Sequence, residues 1–149
     1  MTPHRRFSYP NGGVTVPGFD PANFVVLVVD DEAAVRTLIM TVLRRAGYQV
    51  LDAASGEDAV EKLKARSAPI HLLVTDFMMP GMNGVELAAA ARKQGWAATV
   101  LVISGYTSSQ VAAEDRKFDF LQKPMAPNQL LEKVRELLFR SSTTQAADL

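Results

Sequence analysis

The feature that most constrains the fold is an alternation of two patterns along the chain. Short apolar, β-branched runs alternate with segments whose apolar residues recur every three or four positions. This alternation is typical of βαβ units, in which helices cover both faces of a parallel sheet. The predicted strands are Val25 to Val29, Gln49 to Ala53, Leu72 to Thr75, Thr99 to Ile103 and Phe118 to Gln122. The sequence therefore predicts an open α/β fold with five parallel strands.

Local signals also predict where several helices begin and end. Apolar residues between Val35 and Leu43 recur at helical spacing, and Gly47 is placed to end that helix. Ser55 and Asn83 each precede a helical segment, and their side chains can accept hydrogen bonds from backbone N–H groups left open there. The same spacing from Leu130 to Leu138 predicts the last helix.

The chain divides into three parts. Residues 1–23 contain four prolines and a Gly-Gly pair without apolar periodicity, so we expect a flexible N-terminal arm. Residues 24–140 should form the folded domain, and residues 141–149 lack any core-forming pattern, so we expect a disordered C-terminal tail. Only the stretch from Ser108 to Arg116 is available for a helix between the last two strands, which should therefore be shortened.

Composition excludes several classes of function. The 16 basic and 16 acidic residues cancel, so no net positive field would draw the protein onto nucleic acid. The chain has no cysteine, which excludes disulfides, thiolate metal sites and cysteine nucleophiles. No apolar stretch approaches the roughly 20 residues that span a bilayer, and no apolar segment follows Arg5 and Arg6 as a signal peptide would require. We therefore expect a cytoplasmic protein that binds neither nucleic acid nor a membrane.

Reactive side chains follow four of the five predicted strands. Asp30 and Asp31 end the first strand, Asp76 the third, Ser104 the fourth and Lys123 the fifth. In an open parallel sheet these strand ends share one edge, where such folds bind their ligands. Three carboxylates in one small volume repel each other unless a pKa rises or a divalent cation binds. Because only oxygen donors are offered, we expect a hard cation, and Mg²⁺ is the natural choice.

The same residues suit phosphoryl transfer. A carboxylate beside Mg²⁺ can attack phosphorus and form an acyl phosphate, while a lysine neutralises charge on the equatorial oxygens. Asp76 and Lys123 fit these two parts. The Ser104 hydroxyl could hydrogen-bond to the phosphoryl group and so couple the chemistry to a loop movement.

Four segments of the chain resemble the receiver domains of two-component response regulators. They are Val28 to Glu32, Thr75 to Gly84, Ser104 to Tyr106, and Phe120 to Pro124. The resemblance extends over residues 24–139. It implies a doubly wound, flavodoxin-like (CheY-like) sheet with the strand order 2-1-3-4-5, which is a known arrangement of such folds.

The resemblance also implies a role for each matched residue in the chemistry. Asp76 matches the phosphorylated aspartate, and Asp30 and Asp31 match the acidic pair that binds Mg²⁺. Met78 matches the position that supplies a backbone carbonyl to the metal, so its side chain is free to vary. Lys123 matches the phosphoryl-binding lysine.

Two further matches concern the output of the domain. Ser104 matches the switch hydroxyl, and Phe120 matches the aromatic residue that turns inward in the active state. The interval between them is shorter than is usual in the family, which affects the helix that commonly belongs to the signalling face. Ala126 stands where a serine or threonine normally caps the last helix, and losing such a cap costs about 1 kcal/mol.

The leading interpretation is a single-domain response regulator that signals by binding proteins and is not an enzyme in the ordinary sense. The implied phosphoryl donor is a sensor histidine kinase or a histidine phosphotransfer protein. After Lys123 the chain holds only one helix and a tail, so we expect no DNA-binding output domain. The downstream partner and the formation of a homodimer stay open.

Three alternatives also stay open. The chain could be the receiver module of a hybrid histidine kinase, which the segment from Phe120 to Pro124 also resembles. It could be a binding module that works without phosphorylation, although the complete set of reactive residues argues against this. It could be a hydrolase with an aspartyl nucleophile, but haloacid-dehalogenase-like phosphatases need a second aspartate two residues later, where this chain has Met78.

Overall fold

The strands form one fully parallel sheet in the computed structural model, which describes residues 18–105 and 118–147. The strands are β1 Val25–Val29, β2 Gln49–Ala53, β3 Ile70–Asp76, β4 Ala97–Ser104 and β5 Asp119–Gln122. Their order is β2-β1-β3-β4-β5, and every neighbouring pair is parallel. The predicted fold class and strand order are therefore confirmed.

Helices connect the strands in the described ranges. They are α1 Ala33–Arg45, α2 Gly56–Lys64, α3 Gly84–Gln94 and α4 Pro127–Ala147, and a 3-10 helix, Pro21–Asn23, precedes β1. The shortened helix that we predicted between Ser108 and Arg116 lies outside the described residues. None of the helices in the described ranges is both long and apolar enough to cross a membrane.

The predicted caps of α2 and α3 are present. The Ser55 hydroxyl oxygen accepts a hydrogen bond of 3.0 Å from the backbone N–H of the third helical residue. Asn83 and Glu86 form a reciprocal capping box, with bonds of 2.8 and 3.1 Å. Ala126 cannot cap α4 with its side chain, but its backbone N–H donates to the side-chain amide oxygen Oε1 of Gln129 at 2.7 Å. The start of α4 thus keeps one half of a capping box.

The sheet separates two apolar layers. Helices α1 and α4 cover one face, and α2 and α3 cover the other. Because both faces of the central strands β1 and β3 are buried, β1 is entirely apolar, and the polar residues of β3 lie near its two ends: His71, Thr75 and Asp76. Functional groups can therefore leave these strands only at their ends.

Both margins of the domain differ from the prediction. Phe19 stacks on Phe24 with 4.9 Å between ring centroids, and it meets the Tyr48 ring edge-on at 6.5 Å. Residues 18–23 thus pack on the domain, whereas we expected a flexible arm as far as residue 23. At the other end α4 continues to Ala147, through most of the predicted tail. Residues 1–17, 148 and 149 lie outside the described ranges.

His71 holds the beginning of β1 in place through a hydrogen bond to its backbone. Its Nδ1 accepts a hydrogen bond of 2.9 Å from the backbone N–H of Val25. The ring also contacts Phe24 edge-on at 5.3 Å. Burial lowers the pKa of His71, and the nearby Arg66 lowers it further, so the neutral ring that can accept this bond is favoured.

Candidate functional site

Three carboxylates meet at the carboxyl edge of the sheet. Asp30 and Asp31 follow β1, and Asp76 ends the neighbouring strand β3. One oxygen from each of the three lies within 4.8 Å of the other two. The Asp30 side chain is buried, that of Asp76 is partly buried, and that of Asp31 is exposed. The all-oxygen donor set suits a hard divalent cation, as the sequence suggested.

The buried member of this cluster carries an electrostatic cost. Burial raises the pKa of Asp30, and the charges of Asp76 and Asp31 raise it further. Two contacts oppose this shift: the Glu32 backbone N–H, which donates to Asp30 Oδ1 at 2.9 Å, and the Lys123 ammonium. The net direction is upward, so the ionised form of Asp30 is disfavoured relative to water. A bound cation would relieve this penalty.

Lys123 brings the end of β5 to the cluster. Its Nζ lies 3.1 Å from Asp76 Oδ1 and 3.9 Å from Asp30 Oδ2. Its backbone N–H donates to the carbonyl oxygen of Ser104 at 2.7 Å, which ties the ends of β4 and β5 together. The ammonium therefore stands beside the carboxylate predicted to accept the phosphoryl group.

Ser104 lies at the same edge, at the buried end of β4. In the sheet register it pairs with Gln122, the residue before Lys123. A Cβ added to the following residue, Gly105, would contact no atom of the described residues within 4 Å.

The loop between β3 and α3 runs past this cluster. It contains Met78, whose side chain is exposed, and Met79, whose side chain is buried. The backbone N–H of Gly84 donates to the Phe77 carbonyl at 2.9 Å, which closes the loop onto the end of β3. A Cβ built on Gly84 would lie only 2.0 Å from the Asp76 carbonyl oxygen. Glycine is therefore required at this position.

The predicted switch aromatic lies on the side of the sheet covered by α2 and α3. Phe120 is partly buried, and its ring centroid is 6.3 Å from that of Phe77 at an interplanar angle of 48°. Because Phe77 directly follows Asp76, this ring contact joins the candidate phosphoacceptor strand to β5. The sequence assigned no role to Phe77.

Two other contacts at the site were not predicted from the sequence. The Glu57 carboxylate accepts a hydrogen bond of 3.0 Å from the Met82 backbone N–H, and this bond lowers the pKa of Glu57. Arg36 donates from Nη1 to the Asp30 carbonyl oxygen at 2.7 Å. The Glu57 contact joins residues far apart in the chain, so no local pattern reveals it. Arg36 lies one helical turn after Glu32, but that spacing alone predicts only an ordinary surface pair.

The cost of burying Asp30 leads to a prediction for Asp30→Asn. Without metal at neutral pH, the variant should be more stable than the wild type by roughly 1 kcal/mol, or about 3 °C in melting temperature. The amide keeps an oxygen for the Glu32 N–H but carries no charge. An acid with a raised pKa in the folded state loses stability as pH rises, so the difference should shrink as pH falls and the carboxyl becomes neutral.

Thermal unfolding in EDTA and in Mg²⁺ measures both parts of this effect. Mg²⁺ should stabilise the wild type but not Asp30→Asn, because the variant lacks one carboxylate ligand. Glu61→Gln, a charge-neutralising change at an exposed position on α2, is the control and should show neither effect. A metal-free Asp30→Asn protein that is less stable than the wild type would contradict the electrostatic account.

Fold and site together define a class of protein. The model of the response regulator receiver domain family matches residues 26–135, which is most of the chain. The chain therefore belongs to the response regulator receiver family. Members of this family are signalling modules that histidine kinases phosphorylate and that bind Mg²⁺ at a cluster of aspartates.

The chain is also similar in sequence to individual members of the family. It is 37% identical over 116 residues to the sensor kinase CckA of Brucella abortus, covering 76% of this chain and 12% of the kinase. It is 34% identical over 121 residues to the transcriptional regulatory protein ResD of Bacillus subtilis, covering 80% of this chain and 50% of that protein. The chain thus spans half the length, or less, of these two curated relatives.

Solved structures agree with this assignment. The receiver domain of the hybrid histidine kinase CckA is 38% identical with a TM-score of 0.64, and the match covers 76% of this chain and 98% of that domain. The receiver domain of the Francisella response regulator 1452 is 29% identical with a TM-score of 0.71, covering 80% and 99%. The resemblance read from the four sequence segments is confirmed.

Proposed function

We propose that Asp76 accepts a phosphoryl group with Mg²⁺ held by Asp30, Asp31, Asp76 and the backbone carbonyl of Met78. The observation that carries this proposal is the position of Lys123, whose Nζ lies 3.1 Å from Asp76 Oδ1 and 3.9 Å from Asp30 Oδ2, two members of the acidic cluster. The site thus combines a nucleophile, a hard-cation site and a fixed positive charge. These are the parts that phosphoryl transfer to a carboxylate requires.

In the proposed reaction an Asp76 carboxylate oxygen attacks phosphorus of a phosphohistidine donor. The new oxygen–phosphorus bond forms as the bond from phosphorus to the imidazole nitrogen breaks, and the leaving imidazole takes up a proton. Mg²⁺ supplies charge neutralisation on the phosphoryl oxygens. Lys123 is already beside the nucleophile and can move its ammonium from Asp76 to a phosphoryl oxygen. In the last step water attacks phosphorus, phosphate leaves and the Asp76 carboxylate is restored; we expect this self-catalysed hydrolysis to be slow.

The proposed output is a change of conformation that protein partners read. Ser104 would hydrogen-bond to the phosphoryl group, and Phe120 would change its packing in response. The ring contact between Phe120 and Phe77 supports a link between the two events, because Phe77 adjoins the phosphorylated residue. Donor and acceptor would meet in the cytoplasm, the compartment that the family implies. The donor would be a sensor histidine kinase or a histidine phosphotransfer protein.

Two settings share this chemistry. In one the chain acts as a stand-alone response regulator. In the other it is the receiver module of a hybrid histidine kinase, which the similarity to the receiver of the kinase CckA favours. The two settings differ in what is joined to the domain and not in the site. A binding module that needs no phosphorylation would leave the aligned Asp76 and Lys123 without a purpose.

The proposal is tested by incubating the full chain with acetyl phosphate and following its intact mass. With Mg²⁺ we expect the increment of one phosphoryl group, and with EDTA we expect none. No increment in Mg²⁺ would overturn the proposal and favour the phosphorylation-independent module. Rapid steady turnover of many phosphate esters would favour the hydrolase instead.

A further inference from the structure

Arg36 connects two strands at the metal-binding edge. It lies in the first turn of α1, and its Nη1 donates to the Asp30 carbonyl oxygen at 2.7 Å. Its Nε donates to Asp52 Oδ2 on the neighbouring strand β2 at 3.2 Å. The Arg36 side chain is 17% exposed and that of Asp52 is 43% exposed, so the guanidinium is mostly shielded from water while its carboxylate partner is partly solvated. Such charge-assisted bonds are stronger than those between neutral groups.

These bonds fix the turn that carries the acidic pair. The Asp30 carboxylate accepts from the Glu32 N–H inside the turn, and the Glu32 carbonyl accepts from the Arg36 backbone N–H at 3.0 Å. The Arg36 side chain also donates to the Asp30 carbonyl oxygen, so the turn from Asp30 to Arg36 is held by both backbone and side-chain hydrogen bonds. On the far side, Lys62 of α2 donates to the Asp52 carbonyl, which holds the partner of the guanidinium in place.

The positive charge of Arg36 is paired with the negative charge of Asp52. A free guanidinium next to two metal-binding carboxylates would repel a divalent cation, but the Asp52 carboxylate pairs with it. Arg36 can therefore position the turn without weakening the site's attraction for a cation.

We propose that Arg36 is a positioning residue for the metal site: held by Asp52, it fixes the backbone at Asp30 so that Asp30 and Asp31 keep the geometry that Mg²⁺ needs. This inference rests on the proposed function, which makes the pair a metal site. Mg²⁺ requires near-ideal octahedral geometry at about 2.1 Å, so a small displacement of the turn should weaken binding. Residues that orient metal ligands typically change affinity tenfold or more when they are replaced.

The test measures cation binding directly, without phosphoryl transfer. Mn²⁺ is the probe, because it takes the same oxygen ligands and its free concentration can be read by electron paramagnetic resonance. Arg36→Met in the full chain should weaken binding about tenfold. Arg36→Lys should recover part of this loss, since it restores the charge but not the two-pronged contact. Arg44→Met, on the same helix but at an exposed position, should bind as the wild type does.

The partner residue provides a second route to the same contact. Asp52→Ala should weaken Mn²⁺ binding roughly threefold, because it frees the guanidinium and leaves its charge unpaired. Asp52→Asn keeps an oxygen acceptor and should have a smaller effect. If both residues act through one contact, Arg36→Met combined with Asp52→Ala should bind no more weakly than Arg36→Met alone. Circular dichroism of the metal-free variants checks that each is folded.

The outcomes separate the inference from the function on which it rests. Wild-type affinity in both Arg36→Met and Asp52→Ala, or losses that add in the double variant, would overturn only the role of Arg36. If Arg36→Met does not fold, the milder Asp52→Ala variant is used instead, and wild-type Mn²⁺ affinity in that variant would overturn the role of Arg36. If the metal site exists, the wild type should bind Mn²⁺, Mg²⁺ should displace it, and Asp31→Asn should weaken the binding. A wild type that shows no such binding would overturn the proposed metal site and this inference together.

Discussion

Asp76→Asn is expected to take up no phosphoryl group from acetyl phosphate, under conditions in which the wild type gains one. The amide has nearly the same shape as the carboxylate, but it cannot act as the nucleophile that forms an acyl phosphate. It also lacks the charge that pairs with Lys123 at 3.1 Å. Intact mass after incubation with the phosphodonor and Mg²⁺ measures the effect.

The loss should be chemical and not structural. Replacing one of three mutually repelling carboxylates removes repulsion, so the variant should remain folded and unfold thermally near or above the wild-type temperature. Asp119→Asn is the matched control, because Asp119 begins β5 and forms ion pairs with Lys133 and Arg140 outside the cluster. It should be phosphorylated normally. A full phosphoryl increment in Asp76→Asn would place the chemistry on another residue.

Gly84→Ala should destabilise the protein by about 3 kcal/mol or more. An added Cβ would lie 2.0 Å from the Asp76 carbonyl oxygen, 2.9 Å from its carbon and 3.1 Å from the Phe77 Cα. These are backbone atoms at the end of a buried strand, so relief requires α3 to move away from β3. The same movement would break the bond between the Gly84 N–H and the Phe77 carbonyl and displace Asp76, so phosphoryl uptake should fall with stability.

Helix propensity alone predicts that Gly84→Ala stabilises the protein, which is the opposite of the effect expected from the steric contact. Alanine in a helix is favoured over glycine by up to about 1 kcal/mol, so without the contact the variant should be stabilised. Gly56→Ala is the comparison: Gly56 also begins a helix, and its added Cβ would lie 2.9 to 3.0 Å from the Met82 Cβ, Cγ and Sδ. These are side-chain atoms of a loop residue, so this variant should lose clearly less stability than Gly84→Ala. Chemical denaturation of both variants measures the difference, and equal stabilities would contradict the steric argument.

Features that depend on local patterns could be predicted from the sequence. The bounds of β1 and β2 agree with the prediction because turn residues border both apolar runs, and the Asn83–Glu86 capping box spans only three residues. The shared edge of Asp30, Asp76 and Lys123 could be predicted because a parallel sheet brings its strand ends together.

Contacts between distant segments could not be predicted in this way. Glu57 meets the Met82 N–H across 25 residues, and Arg36 meets Asp52 across 16. Each pair depends on the side-by-side placement of elements, and either residue alone resembles an exposed charge on a helix. The packing of Phe19 on Phe24 and Tyr48 was missed for the same reason, because a single aromatic residue among prolines and glycines shows no periodicity.

The central claim is that Asp76 carries the phosphoryl group, and peptide mapping after borohydride reduction tests it most directly. Borohydride reduces an acyl phosphate to an alcohol, so the phosphorylated aspartate is converted to homoserine and can be located by fragmentation. We expect homoserine at position 76 alone, and only after incubation with both acetyl phosphate and Mg²⁺. Homoserine at another aspartate, or a phosphoryl group that survives on a histidine such as His71 while position 76 stays unchanged, would contradict the account.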